Sequence, residues 1–127
     1  MKLKIWLTIT AVIATTNGLS YLLAPAMTMV SFGFETNGTG LLMARYFGAS
    51  TFGVAILAWV ARRIVNPDAR RLVVMALFFT FVLYAAVDLV GVLSGVMNAL
   101  GWLFVAMDLV LAAGYGYWLL IQPRGSS

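Results

Sequence analysis

The chain contains four apolar runs, each close to the length needed to cross a lipid bilayer. They cover residues 5–23, 41–60, 72–93 and 99–120. A bilayer core requires roughly 20 helical residues, and such runs are restricted to helices because lipid offers the backbone no hydrogen-bond partners. With 63% hydrophobic residues, the chain lacks the polar surface of a soluble domain. The sequence therefore predicts an all-α integral membrane protein with a single domain over residues 1–127.

The connections between the runs are short, so consecutive helices should be antiparallel and form a four-helix bundle. The two connections at one end hold only one charged residue, Glu35. By the positive-inside rule, the opposite end, with both termini, faces the cytoplasm. Cations divided among three juxtamembrane sites suit lipid headgroups, and no nucleic-acid partner is expected. These cations are Lys2, Lys4, Arg62, Arg63, Arg70, Arg71 and Arg124.

The residues that the chain lacks exclude whole classes of chemistry. It contains no histidine and no cysteine, which removes the usual ligands of haem, zinc and iron–sulfur clusters. It also has no glycine-rich phosphate loop followed by Lys-Ser or Lys-Thr. We therefore expect no cofactor, no metal site and no catalytic residue. A membrane enzyme is disfavoured because its aspartates lack an accompanying group that binds an electrophile.

Each apolar run carries one strongly polar residue at a similar depth. Asn17, Arg45, Asp88 and Asp108 fall roughly 7 to 14 Å below the outer boundary at the helical rise per residue. Because charge inside the membrane is costly unless it faces protein or water, the sequence predicts one buried polar layer in the bundle. Helical spacing adds Tyr84 to the face of Asp88 and Tyr115 to that of Asp108.

This layer has two interpretations. In the structural one, Arg45 forms a bidentate pair with one carboxylate and the cluster fixes helix register. In the functional one, one cation and two carboxylates leave an excess buried anion, so one aspartate holds a proton. Such a site could bind a cation or take part in proton-coupled transport.

Small residues at four-residue spacing predict where helices approach one another closely. The predicted helix-packing positions are Gly48, Gly53, Gly91, Gly95 and Gly116. Residues 24–40, between the first two spans, begin with Pro25 and carry an apolar half that should not lie in water. We expect a short interfacial helix that caps the bundle, with a surface for another protein as the alternative.

Four segments of the chain are Tyr21-Leu22-Leu23-Ala24-Pro25, Ala44-Arg45-Tyr46-Phe47-Gly48-Ala49, the basic hinge Ala61–Arg71, and Gly95–Trp102. Together they resemble small bacterial four-span proteins that are loosely similar to the DoxX-like group. The resemblance implies a four-helix bundle in the bacterial cytoplasmic membrane and carries no settled activity. An electron-transfer role would need a redox ligand that the chain lacks.

The sequence predicts a non-enzymatic membrane protein that acts through helix contacts. It would be an accessory or assembly subunit of a membrane complex, or a self-associating bundle, with membrane lipids and other subunits or itself as partners. The alternative is a small proton-linked carrier, or a membrane protein that binds a lipid or small molecule, with Arg45, Asp88 and Asp108 as the site.

Overall fold

The computed structural model describes residues 2–121, and the secondary structure in this range is helical throughout. The five helices are α1 (Leu3–Leu23), α2 (Pro25–Ser31), α3 (Gly38–Ala61), α4 (Pro67–Leu93) and α5 (Gly101–Ile121). All except α2 are long and apolar enough to cross a membrane. The predicted all-α, four-span architecture is thus confirmed, and α2 lies within the segment where a short helix was expected. Arg124 lies outside the described residues.

Two of the long helices begin before their apolar runs because asparagines cap them. The Asn37 side-chain oxygen accepts the Gly40 N–H at 2.7 Å, and the Asn66 oxygen accepts the Ala69 N–H at 3.0 Å. Asn66 is followed by Pro67 at the first helical position of α4, where a missing N–H costs nothing. An apolar run marks the part of a helix that suits lipid, whereas the cap marks where the helix begins.

The closest helix contact is the crossing of α1 and α3. A methyl group added to Gly48 would lie 2.7 Å from the Gly18 carbonyl oxygen, and one added to Gly18 would lie 2.8 Å from the Phe52 nitrogen. Small residues let backbones approach in this way, which matters in lipid because hydrophobic burial does not drive helices together there. The buried face of α3 consists of small residues throughout: Ala44, Gly48, Thr51, Ala55, Ala58 and Ala61.

Helix α4 packs along α5, and α5 connects the second hairpin to α1. Gly116 of α5 faces the Phe78 ring of α4, and Gly114 faces the indole of Trp6 from α1. The indole Nε1 donates a hydrogen bond to the Leu111 carbonyl at 3.1 Å. Pairs α1/α3 and α4/α5 are each packed closely along their length, while contacts between the two pairs are sparse.

The outside of the bundle is apolar, as a membrane protein requires. Leu72, Leu83, Val87 and Val90 are each at least 64% exposed, and no more than 33% of the apolar window in any long helix is buried. Most of the surface of these helices therefore suits lipid.

Arginines just after α3 and in the first turns of α4 bind nearby backbone carbonyls and an aromatic ring. Arg70 donates to the Ile64 carbonyl at 2.6 Å, and Arg71 donates to the Leu119 carbonyl at 3.1 Å. The Arg62 guanidinium lies over the Trp59 ring, 3.9 Å from its centroid. Cations are favourable at helix C-termini because unpaired carbonyls collect there.

Three of the predicted packing glycines have other surroundings. A methyl group on Gly53 would meet nothing within 4 Å, and one on Gly91 would meet only Met97 of the following loop. Gly95 lies beyond the end of α4 with a φ of 80°, a left-handed conformation that terminates helices. The pattern that predicts helix packing at Gly91 and Gly95 thus reflects the end of α4.

We expect Gly48→Val to destabilise the bundle and Gly53→Val to leave it unchanged. The added side chain at Gly48 meets the backbone of α1, and such overpacking typically costs about 1 to 3 kcal/mol. Thermal unfolding of the purified monomer in detergent measures the difference. Equal decreases in unfolding temperature in both variants would show that β-branching in the helix, and not the α1–α3 crossing, is responsible.

Candidate functional site

All four long helices contribute to a cavity of about 210 Å³. It lies in the half of the bundle nearer α2. Its polar lining comes from Asn17, Tyr21, Tyr84, Asp88 and Asp108, and its apolar lining is Phe47, Val87, Met97 and Phe104.

Helical spacing explains why this lining alternates between polar and aromatic groups. Side chains four residues apart share one face of a helix, so Asp88 lies one turn from Tyr84, and Asp108 one turn from Phe104. Asn17 and Tyr21 stand in the same relation on α1. Each strongly polar group in the cavity therefore has an aromatic neighbour on its own helix.

The aromatic rings form a continuous wall. The Tyr21 and Phe47 rings meet edge to face with centroids 4.9 Å apart, and those of Phe47 and Tyr84 are 5.9 Å apart at 70°. Edge-to-face contacts are the favoured aromatic geometry. These three rings, from α1, α3 and α4, all belong to the lining of the cavity.

Asp88 on α4 and Asp108 on α5 line the same small cavity, where their side chains are neighbours. Asp108 is buried, with 8% of its surface exposed, and Asp88 is half-buried. None of the described residues that line the cavity is Arg or Lys. Two acidic groups therefore face one small space without a neutralising cation in its wall.

The structure separates Arg45 and Tyr115 from this pair. Arg45 is exposed and does not line the cavity, in contrast to the predicted Arg45–carboxylate pair. The reason is rotation, because Ala44 is the residue of this turn that α3 buries and the next residue points about 100° away. Tyr115 is fully buried, and its hydroxyl bonds to that of Thr10 at 2.5 Å.

The predicted site residues thus divide into three groups. Asn17, Tyr84, Asp88 and Asp108 meet at the cavity. Tyr115 belongs to the packed core, on the buried stripe of α5. Arg45 lies neither at the cavity nor in the packed core.

Helix α2 and the loop after α4 are joined at this end of the bundle. The Asn98 backbone N–H donates to the Phe32 carbonyl at 2.8 Å, and the Asn98 side-chain nitrogen donates to the Ser31 carbonyl at 3.0 Å. The neighbouring residue Met97 is buried and lines the cavity. The loop therefore both closes the cavity and fastens the C-terminal end of α2.

Five further residues line the cavity and were not predicted as site residues: Tyr21, Phe47, Val87, Met97 and Phe104. For Phe104 a signal was available, because it precedes Asp108 by one helical turn. Phe47 and Met97 had none, since their positions depend on the α1–α3 crossing and on the turn at Gly95.

No family model, curated protein or solved structure matches the chain. The fold defines a multi-pass helical membrane protein, and the resemblance to the DoxX-like group stays a prediction.

Proposed function

We propose that this integral membrane protein binds a small cation against Asp88 and Asp108, in exchange for a proton. The observation that supports the proposal is the placement of two neighbouring carboxyl groups in one cavity whose described lining includes no Arg or Lys side chain. Buried carboxylates need a compensating partner. In this cavity, a bound cation or a retained proton can be that partner.

The proton-bound and cation-bound states of the site follow from the proximity of two like charges. Two carboxylates that share a site cannot both ionise without a large electrostatic cost, so the empty pair holds one proton between them. A cation that enters favours the ionised form and releases that proton. The protein is thus a proton-linked binding protein or a small carrier.

We further propose that the protein is not an enzyme. Acid–base catalysis would need a group that binds or polarises the reacting centre beside the carboxyls. The other polar groups of the described lining are the Asn17 amide and the hydroxyls of Tyr21 and Tyr84. They can orient a ligand, and the proposal assigns them that role.

Labelling with dicyclohexylcarbodiimide tests the proposed site, because this reagent modifies protonated carboxyl groups in apolar surroundings. We expect the protein in lipid nanodiscs to be labelled at Asp88 or Asp108, and tetramethylammonium, methylammonium or Na⁺ to protect it. Intact mass measures the modification, and peptide mapping locates it.

Asp68→Asn is the matched control, because it removes the same charge in the first turn of α4, away from the cavity. It should be labelled and protected like the wild type, whereas the double variant Asp88→Asn/Asp108→Asn should not be labelled. Absence of labelling in the wild type, or labelling that none of the three cations reduces, would refute the proposed exchange.

We propose that the basic end of the bundle faces the cytoplasm of a bacterial cell, with the protein in the inner membrane. Lys2 precedes α1, Lys4 lies in its first turn, and Arg62 and Arg63 follow α3 at the same end. The positive-inside rule favours this orientation. Arg70 and Arg71 add two more cations at this end, where they bind the Ile64 and Leu119 carbonyls.

Single cysteines test the orientation, since the chain has no native cysteine. In intact cells, Thr36→Cys should react with a membrane-impermeant maleimide, and Arg63→Cys should react only after lysis. The opposite pattern would place the cavity end in the cytoplasm.

The second candidate is an accessory or self-associating subunit. It is favoured by the exposed small residues Ala49 and Gly53 on α3, which leave an uncovered helix face suited to another helix. Arg45 lies one turn from Ala49, and a partner or the headgroup region could satisfy its charge.

Intact-complex mass spectrometry of protein taken from its native membrane tests this second candidate. We expect a stoichiometric partner or second copy that Gly53→Val releases, because the added side chain fills the exposed face. A wild-type protein that is monomeric under these conditions would exclude it.

A further inference from the structure

An open groove of about 320 Å³ adjoins the cavity between α2, α3 and α4. The residues that line the groove and not the cavity include Met29, Phe34 and Met43. Methionine side chains are flexible and polarisable, so they adapt to ligands of varied shape. The groove therefore suits a flexible apolar chain better than a rigid or polar molecule.

Cavity and groove adjoin each other. Tyr21, Phe47, Asp88 and Met97 line both spaces, so a carboxyl group stands where the apolar groove meets the polar cavity. A ligand that spans the boundary would present a charged end to the carboxyl pair and an apolar end to the methionines.

The volumes indicate how such a ligand divides between the two spaces. Drug-sized ligands occupy pockets of about 300 to 1,000 Å³, and the cavity measures about 210 Å³. It therefore accommodates a compact head group, and the remainder of the molecule must lie elsewhere. The groove is the adjoining space that Asp88 also lines.

The chemistry of the lining selects the head group. Exchange of the pair's one proton for one monovalent cation leaves the net charge of the site unchanged, so the head group should carry a single positive charge. Tyr21, Phe47, Tyr84 and Phe104 add aromatic rings to the wall around the carboxyl pair. Aromatic faces attract ammonium groups, and aromatic cages are the usual way in which proteins recognise alkylated ammonium.

We propose that the ligand is a monovalent alkylammonium amphiphile, with its head between Asp88 and Asp108 and its apolar tail in the groove lined by Met29 and Met43. This proposal rests on the proposed cation site and names its ligand class. Because the groove is open and lies in a membrane-spanning bundle, the tail reaches it from the lipid.

Two methionines provide a matched pair of variants. Met43 lines this groove, whereas Met27 lines a second open groove between α1, α2 and α5, and both side chains are exposed. Met43→Trp should fill the proposed tail site, and Met27→Trp makes the same substitution beside the other groove.

The test compares tetramethylammonium with hexyltrimethylammonium as protectants against carbodiimide labelling in nanodiscs. In the wild type and Met27→Trp, the half-protecting concentration of hexyltrimethylammonium should be at least roughly tenfold lower than that of tetramethylammonium. The reason is that each buried methylene raises the affinity about fourfold. In Met43→Trp this gain should fall below about threefold, with tetramethylammonium protection unchanged.

The possible results separate the two proposals. If neither ammonium compound protects the wild type, the alkylammonium ligand is refuted, and protection by Na⁺ or methylammonium then decides whether the cation site itself stands. If tetramethylammonium protects and the hexyl gain is absent, or is equal in Met43→Trp and the wild type, the cation site stands and the tail site is refuted. Loss of the gain in Met27→Trp alone would assign the tail to the other groove and overturn the proposal.

Discussion

The contact between the backbones of α1 and α3 at Gly18 and Gly48 is the constraint on which the rest of the structure depends. Lipid is as apolar as a leucine side chain, so close packing must supply much of the attraction between these helices. The crossing also sets the cavity, because Asn17 adjoins Gly18 and the Tyr21 side chain packs at Gly48. The same contact that holds the first hairpin together thus directs two of its side chains toward the carboxyl pair.

Depth in the membrane could be predicted from the sequence, but direction around the helix could not be predicted equally well. Counting residues gave Asn17, Arg45, Asp88 and Asp108 a common level, and three of these line one cavity. Arg45 does not, because its immediate neighbour Ala44 belongs to the small-residue face that α3 buries. The burial of Ala44 and Gly48 turns Arg45 away from the carboxyl pair that it was predicted to meet.

Helix ends account for most of the remaining differences. The starts of α3 and α4 follow from Asn37 and Asn66, whose capping role depends on local geometry and not on hydrophobicity. Gly95 has the spacing of a packing residue, yet its positive φ belongs to a turn. Met97, Phe47 and their contacts follow from tertiary structure, so no pattern of residues along the chain indicates that they line the cavity.

The two close pairs, α1 with α3 and α4 with α5, meet each other through far fewer contacts than either pair makes internally. The cavity lies between the two pairs at one end of the bundle, and the hydrophobic core joins side chains of all four long helices elsewhere. A ligand in the cavity would therefore touch both pairs at once and link them, in addition to the hydrogen bonds from Asn98 to Ser31 and Phe32.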